Sequence, residues 1–219
     1  MPEQIDPLKL ASLFLQYPSD VLREAASESL GLEIATARGR DGKQLRKFCR
    51  WYATTPTGEL QRLYVDAFDF TKQCSLHLTY HVHGDRRQRG LAMVQLKESY
   101  RCAGFDPPGD ELPDYLPLML EFAALAPGPG AAMLEGNRVS LELIRAGLRR
   151  DASPFAPLLD LVVGGLGRLS SAKLSRIRRL AAEGPPTEEV GLEPFAPPEV
   201  MPTDGPGAAL PMVGGWETT

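Results

Sequence analysis

The sequence predicts an all-α fold, a single compact bundle of roughly eight or more helices followed by a tail rich in proline and glycine. Two observations lead to this prediction. Apolar residues recur three or four positions apart in one segment after another, which is the spacing of one face of an α-helix. The alternating pattern of a half-buried strand is absent, and the one Asp-Gly pair, Asp41–Gly42, precedes a helical pattern instead of joining two strands.

Each amphipathic segment supplies apolar residues for a shared core, because a surface helix buries the face on which such residues align. Ser153 followed by Pro154 predicts the start of one of these segments. In chain order, the aligned residues are Leu10, Leu13, Phe14 and Tyr17; Leu45, Phe48, Cys49 and Tyr52; Leu60, Leu63, Tyr64 and Ala67; Met93, Leu96 and Tyr100; Phe155, Leu158, Leu159 and Val162; and Leu174, Ile177 and Leu180.

The segment from Leu112 to Phe122, LPDYLPLMLEF, has two prolines four positions apart, which a helix interior would not tolerate. We therefore predict a helix with Asp114 as its N-cap residue, so that Pro117 falls in the first turn. An apolar strip, Tyr115, Leu118 and Phe122, would then run beside two carboxylates, Asp114 and Glu121. Two interpretations stay open: a partner-binding groove edged by carboxylates, or core residues and a cap.

The helical segment around Tyr64 combines apolar and acidic residues in the same way, with Leu63, Tyr64 and Phe68 against Asp66 and Asp69. Two such helices side by side can accept an amphipathic helix from a partner, with its apolar stripe in the groove and its basic residues against the acidic rim. The sequence therefore predicts a peptide-binding surface.

Composition and charge narrow the function further. The chain has 219 residues, 43% of them hydrophobic and 24% charged, and its net charge of −4 argues against a protein that binds nucleic acid by neutralising phosphates. The first 20 residues lack the pattern of a signal peptide, and no apolar run approaches the roughly 18 residues of a membrane span. Three widely spaced cysteines without a CxxC pair suit a reducing compartment. We expect a cytoplasmic protein without direct membrane insertion or a nucleic-acid partner.

Four residues, Cys74, His77, His81 and His83, are of the types that bind zinc. His83 lies nine positions after Cys74 and would point across the helix axis, and there is no second Cys/His pair, so we predict no metal site. We expect His77 to be partly buried and His81 and His83 to approach solvent. No nucleophile motif or phosphate-binding glycine loop is present, so we assign no catalytic residue and expect that the protein is not an enzyme.

After Glu183 the composition changes, with eight prolines between Pro185 and Pro211. Such a segment cannot form regular backbone hydrogen bonds or bury much apolar surface. We therefore divide the chain into a helical domain, residues 1–183, and a tail, residues 184–219, which we expect to be disordered.

Several segments resemble, in the same order, the respiratory nitrate reductase delta subunit family. Its members are the molybdenum cofactor assembly chaperones of nitrate reductase, within the wider group of chaperones dedicated to molybdoenzymes. The resemblance extends over roughly residues 8–195. The segments are YVDAFDF from Tyr64, SLHLTYHVHGDRRQRG from Ser75, YRCAGFDPP from Tyr100, ELPDYLPLMLEFAAL from Glu111 and SPFAPLLDLV from Ser153.

The resemblance implies a cytoplasmic chaperone that binds the apo form of the catalytic alpha subunit, including its N-terminal segment. It also implies that this chaperone assists insertion of molybdopterin guanine dinucleotide before membrane attachment and binds no cofactor permanently. Proteins of molybdenum cofactor biosynthesis are candidates as further partners. The alternatives are a Cys/His metal-binding protein and a structural subunit of a membrane respiratory complex. Together with the apolar strip, the resemblance assigns client-peptide binding to Tyr64, Phe68, Asp69, His77, Tyr80, Asp114, Tyr115, Leu118, Glu121 and Phe122.

Overall fold

The computed structural model describes residues 6–29, 40–84, 86–184 and 186. Within these residues it contains eleven α-helices and no β-strand, which confirms the predicted all-α fold class. A π-helical turn, Val65–Asp69, continues α4, and a 3₁₀ turn, Lys72–Cys74, follows it. The helices are α1 (Pro7–Phe14), α2 (Asp20–Ser29), α3 (Arg40–Thr54), α4 (Thr57–Tyr64), α5 (Leu78–His83), α6 (Arg87–Cys102), α7 (Leu116–Leu125), α8 (Pro127–Gly136), α9 (Arg138–Arg150), α10 (Ala156–Gly164) and α11 (Ser171–Glu183).

Helix α7 lies at the centre of the core, where it packs against α1 and α8. Seven of its ten residues are buried, as expected for a helix that is apolar all round. Helix α10 is similarly apolar and contacts α9, α3 and α1. A second, smaller cluster holds α11 against α9 through Val139, Leu143 and Leu180.

Four helices, α2, α5, α8 and α9, were not among the predicted segments. Helix α8 begins Pro-Gly-Pro-Gly, a composition typical of a loop, yet prolines are tolerated in a first helical turn because their missing N–H has no intrahelical partner there. Met133 and Leu134, later in α8, are buried in the core. Tertiary burial therefore outweighs the weak local preference of this segment.

Two predicted helix starts are wrong. Helix α7 begins at Leu116, and its N-cap residue is Tyr115, which makes no side-chain capping bond. The Asp114 carboxylate does not cap the helix because it accepts hydrogen bonds from Thr79 instead. Helix α10 begins at Ala156, and the Ser153 hydroxyl accepts a hydrogen bond from the Phe155 N–H (3.3 Å) in the turn before it.

The aromatic residues of α1 and α3 pack together, with the rings of Phe14 and Tyr52 5.0 Å apart. Tyr52 is fully buried, and its hydroxyl has no hydrogen-bond partner among the described residues. Burial raises the pKa of this phenol to about 12. The hydroxyl has thus lost its hydration without a replacement hydrogen bond, which is unfavourable for folding.

Tyr52→Phe is expected to raise the free energy of unfolding by about 1 kcal/mol, because it removes a buried polar group that has no partner within the described ranges. The matched control is Tyr100→Phe. The Tyr100 hydroxyl donates to the Pro113 carbonyl (3.0 Å), so its loss should lower stability by about 1 kcal/mol. Urea denaturation followed by circular dichroism measures both, and a loss of stability in Tyr52→Phe would contradict the prediction.

None of the helices in the described ranges combines the length and the apolar composition needed to cross a membrane. The predicted tail, apart from Gly184 and Pro186, lies outside the described residues. Its disorder and the domain boundary at residue 183 therefore stay predictions.

Candidate peptide-binding face

The π-helical turn after α4 sets the directions of two phenylalanines. Phe68, within the turn, packs into the core with its ring 4.8 Å from that of Tyr64 and 5.2 Å from that of Phe155. Phe70 follows the turn and is 79% exposed. Turns of this kind are frequent at functional sites. Here the turn displays an aromatic side chain beside the exposed carboxylate of Asp69.

The second and third sequence blocks meet at an isolated antiparallel bridge between His77 and Tyr115. The Leu78 N–H donates to the Asp114 carbonyl (3.0 Å). The rings of His77 and Tyr115 lie 5.5 Å apart. Backbone pairing therefore holds the start of α5 against the start of α7.

The side chain of Asp114 is completely buried at this junction between α5 and α7. Its carboxylate accepts hydrogen bonds from the Thr79 backbone N–H (3.3 Å) and hydroxyl, and lies 3.2 Å from His77 Nδ1 and 3.6 Å from the Arg89 guanidinium. Burial by itself raises the pKa of a carboxyl, but hydrogen bonds from His77 and Thr79 and the charge of Arg89 lower the pKa of Asp114 below its usual value. Asp114 is thus an ionised, buried anchor.

Tyr64 links this junction to the end of α1. Its hydroxyl donates to the Leu15 carbonyl (3.0 Å). Burial raises the pKa of Tyr64, and the phenol of Tyr115 lies close enough to raise this pKa further. The ring of Tyr17, 52% exposed, stands edge-on to that of Tyr64 with the centroids 5.5 Å apart. The buried ring of Tyr64 therefore lies between aromatic side chains from separate parts of the chain, Tyr17 and Tyr115.

Carboxylates lie close to these aromatic side chains. Burial raises the pKa of the Tyr115 phenol, and the negative charges of Glu111 and Asp69 raise it further, which places both carboxylates near that phenol. Asp69 and Glu111 are exposed and, within the described residues, form no ion pair. We define the aromatic-acidic face as Tyr17, Asp69, Phe70, Glu111, Leu112 and Tyr115.

The ten residues predicted to bind a peptide differ widely in exposure. Leu118 and Phe122 are buried in the core, which favours the core interpretation of the apolar strip over direct contact. Tyr64, Phe68 and Asp114, also buried, support the face from below. Asp69 is exposed, and His77, Tyr80, Tyr115 and Glu121 are half-buried.

The structure brings His77, Asp114 and Tyr115 into contact and places Tyr64 near the phenol of Tyr115, but not all the predicted residues join them. The Arg89 guanidinium lies over the ring of Tyr80, 5.8 Å from its centroid, and Glu121 forms an ion pair with Lys9 on α1. Asp114 and Glu121 do not form a common acidic rim. Asp114 is buried just before the start of α7, and Glu121 is paired with Lys9 of α1.

Sequence reasoning missed the most exposed parts of the face. Tyr17 was assigned to the buried side of a helix, but α1 ends at Phe14, so Tyr17 no longer follows the helical spacing. Phe70 and Glu111 lie within the recognised segments YVDAFDF and ELPDYLP, which was the one available signal. Residue spacing alone cannot tell a buried aromatic side chain from a displayed one.

The zinc-type residues do not converge. Within the described residues no group of three or more Cys, His, Asp and Glu side chains could hold a metal ion. Cys74 is buried, which raises the pKa of its thiol to about 11, and His77 lies against Asp114. The expectation that His81 approaches solvent is wrong, because it is buried with Nε2 2.8 Å from the Ser75 carbonyl. His83 is half-buried on another surface.

A solved crystal structure of another protein resembles this fold. The crystal structure of a protein described as a redox enzyme maturation protein from Archaeoglobus fulgidus superposes with a TM-score of 0.54 and 20% sequence identity. The match covers 72% of this chain and 90% of the other. At this identity the likeness concerns the fold alone.

Sequence comparisons identify the family. NarJ of Bacillus subtilis, named as a nitrate reductase molybdenum cofactor assembly chaperone, is 33% identical over 156 residues, which are 71% of this chain and 85% of that protein. The Escherichia coli K12 assembly chaperone NarJ is 35% identical over 160 residues, which are 71% of this chain and 67% of that protein. Both relatives are named as chaperones, in agreement with the expectation that this chain is not an enzyme. A sequence model of the nitrate reductase delta subunit matches residues 33–160, a range that contains every residue of the face except Tyr17. The chain therefore belongs to the nitrate reductase delta subunit family.

Proposed function

We propose that this protein is a cytoplasmic chaperone of nitrate reductase assembly. It binds the apo form of the catalytic alpha subunit through that subunit's N-terminal segment and keeps it competent for insertion of molybdopterin guanine dinucleotide before membrane attachment. The chaperone itself holds no cofactor permanently, and molybdenum cofactor biosynthesis proteins are candidates as further partners. The observation that carries the proposal is the aromatic-acidic face, on a chain whose relatives are assembly chaperones.

The chemistry of the face suits a basic amphipathic segment. Phe70 and Tyr17 offer large apolar contact areas in water, and aromatic side chains of this kind provide much of the binding energy in protein interfaces. Asp69 and Glu111 supply negative charge near the phenol of Tyr115. Basic side chains of the client would approach these carboxylates while its apolar side chains cover the rings.

The buried predicted residues have a supporting role in this proposal. Asp114 and Tyr64 hold the two half-buried rings, His77 and Tyr115, in place through the contacts described above. A face positioned before the client arrives loses less conformational entropy on binding.

Such a chaperone needs no covalent step to bind the apo client and to release the client after cofactor insertion. It stabilises an open apo conformer of the client because it binds that conformer more tightly than the loaded one. Once the cofactor closes the enzyme, the difference in affinity releases the chaperone.

The test is calorimetric titration with a synthetic peptide that covers the N-terminus of the nitrate reductase alpha subunit from the same organism. The unmodified chain is expected to bind it saturably, one to one, with a negative heat-capacity change. Phe70→Ala should weaken binding about 30-fold, the effect of losing a central aromatic anchor of roughly 2 kcal/mol. Asp69→Asn should weaken it a few-fold and reduce its salt dependence.

The control is Leu125→Ala, which removes another exposed apolar side chain at the end of α7 and should leave the affinity unchanged. All three positions are exposed, so the variants should fold normally. Equal affinity for Phe70→Ala and the unmodified chain would exclude the aromatic-acidic face as the binding site.

A further inference from the structure

An open cleft of about 620 Å³ lies apart from the aromatic-acidic face, with walls formed by α6 and α8. Its floor includes Val82 of α5 and Val139 of α9, and Arg176 of α11 lines it as well. None of the residues that line it belongs to the face. The cleft is therefore a separate surface that the proposed function leaves without a role.

The walls of the cleft are suited to packing against another helix. Lining residues recur along α6 and α8 at helical spacing, so each helix presents one continuous strip to the cleft. Leu96 and Met133 are largely buried at the base of the strips. They alternate with small residues, which allow another backbone to approach closely. The small residues are Ala92 and Ser99 on α6 and Ala132 and Gly136 on α8.

Apolar surface continues beyond the cleft. Leu91 of α6 is 62% exposed and lies one turn before Gln95, a wall residue on the same side of the helix. A large exposed apolar side chain beside an open cleft is typical of a surface that binds another polypeptide. Small-molecule sites, by contrast, enclose most of the surface of their ligand.

The polar groups of the cleft fall into two sets. The hydroxyls of Ser99 and Ser140 and the amide nitrogen of Asn137 already donate to backbone carbonyls. The side chains of Gln95 and Arg176 have no hydrogen-bond or ion-pair partner among the described residues. These two side chains are therefore available to an occupant.

The charge of the cleft is opposite to that of the aromatic-acidic face. No carboxylate is among its described lining residues, although the whole chain has a net charge of −4. Among the described lining residues, Arg176 is the one with a permanent positive charge. Burial, together with the charge of Arg176, lowers the pKa of the neighbouring His83. A basic segment of the kind that suits the face would place like charges together here, which disfavours binding.

We infer that the α6/α8 cleft is a second docking groove, which accepts an amphipathic helix of the client whose polar side carries carboxylates. The apolar side of that helix covers Leu91, Ala92 and Ala132, and a carboxylate of its polar side pairs with Arg176. The inference rests on the proposed function only for the identity of the client. A chaperone with two grooves of opposite charge would hold two separate segments of one apo-enzyme, which strengthens binding through effective concentration.

Site-specific photo-crosslinking tests this inference with the full chain and the purified apo form of the nitrate reductase alpha subunit. The photoreactive residue benzoylphenylalanine replaces Gln95 in one variant, to report on the cleft, and Phe70 in another, to report on the face. Mass spectrometry then identifies the client segment attached to each. The Gln95 probe is expected to attach to a helical, carboxylate-bearing segment distinct from the N-terminal segment reached by the Phe70 probe.

Charge reversal at two arginines of α11 supplies a test variant, Arg176→Glu, and its matched control, Arg178→Glu. Arg176→Glu should lower the crosslinking yield of the Gln95 probe about tenfold without changing that of the Phe70 probe. Arg178→Glu should change neither yield, because residue 178 lies on the opposite flank of the buried strip of α11 and does not line the cleft. Both arginines are exposed, so neither reversal should prevent folding.

The outcomes separate this inference from the proposed function. Crosslinking by the Phe70 probe without crosslinking by the Gln95 probe would overturn the second groove and leave the proposed function intact. Attachment of the Gln95 probe to the N-terminal segment, or a yield indifferent to Arg176→Glu, would also overturn it. If neither probe attaches to the client, the inference and the proposed function both fail.

Discussion

Asp114→Ala is expected to lower the free energy of unfolding by about 3 to 5 kcal/mol, which is a large part of the stability of a typical domain. The carboxylate is fully buried and is shared by Thr79, His77 and Arg89. Its removal leaves the Thr79 N–H and the Arg89 guanidinium without this acceptor in the interior. Urea denaturation followed by circular dichroism measures the effect.

Asp66→Ala is the matched control. Asp66 is exposed and pairs with Arg62 one helical turn away (3.1 Å), so its loss should cost about 0.5 kcal/mol or less. A similar small cost for Asp114→Ala would mean that the buried network does not stabilise the junction between α5 and α7.

The pH dependence of stability provides a second measure of the same residue. The pKa of Asp114 is lower in the folded chain than its ordinary value, so its stabilising contribution is complete above about pH 4 and is lost as the pH falls through the lower, folded-state pKa. The unmodified chain should therefore lose stability more steeply below pH 4 than Asp114→Asn, whose side chain has a similar size but does not titrate. Parallel pH profiles would show that Asp114 is not ionised in the fold.

Gly130→Ala is expected to lower the free energy of unfolding by about 2 to 3 kcal/mol. A Cβ atom at this position of α8 would lie 2.2 Å from Ala123 Cα of α7, so the two helix backbones would have to separate. Helix α7 begins directly after Tyr115, and the same displacement should also weaken binding of the N-terminal client peptide. Urea denaturation and calorimetric titration measure the two effects.

Gly128→Ala, in the first turn of the same helix, distinguishes packing from helix propensity. A Cβ there meets no atom within 4 Å, so this replacement should leave stability unchanged or raise it by up to about 1 kcal/mol. If both replacements destabilise the protein equally, the close approach of α7 and α8 at Gly130 is not the cause.

The fold class followed from local information. Apolar spacing reports the period of the backbone, so the helical character of the segments around Phe48, Leu63 and Leu158 was evident and is confirmed. Helix α8 could not be found in this way, because its first four residues read as a turn and its burial against α7 involves residues distant in sequence.

The candidate site was predictable only in outline. The recognised segments located Tyr64, His77 and Tyr115, and the structure brings these three together. In the structure, Leu118 and Phe122 are buried in the core. The local sequence could not predict this burial, because an apolar strip has the same residue spacing whether it faces the core or a partner.

The sequence by itself determined the helical character of the chain, its family and the segments from which the candidate site is built, because these depend on residue type and on spacing along the chain. The tertiary structure alone decided which side chains face solvent. Asp114 became a buried anchor because Thr79, 35 positions away, reaches its carboxylate, and Phe70 became exposed because the π-helical turn directs Phe68 into the core in its place. Such outcomes depend on contacts between distant segments, and spacing along the chain contains no record of them.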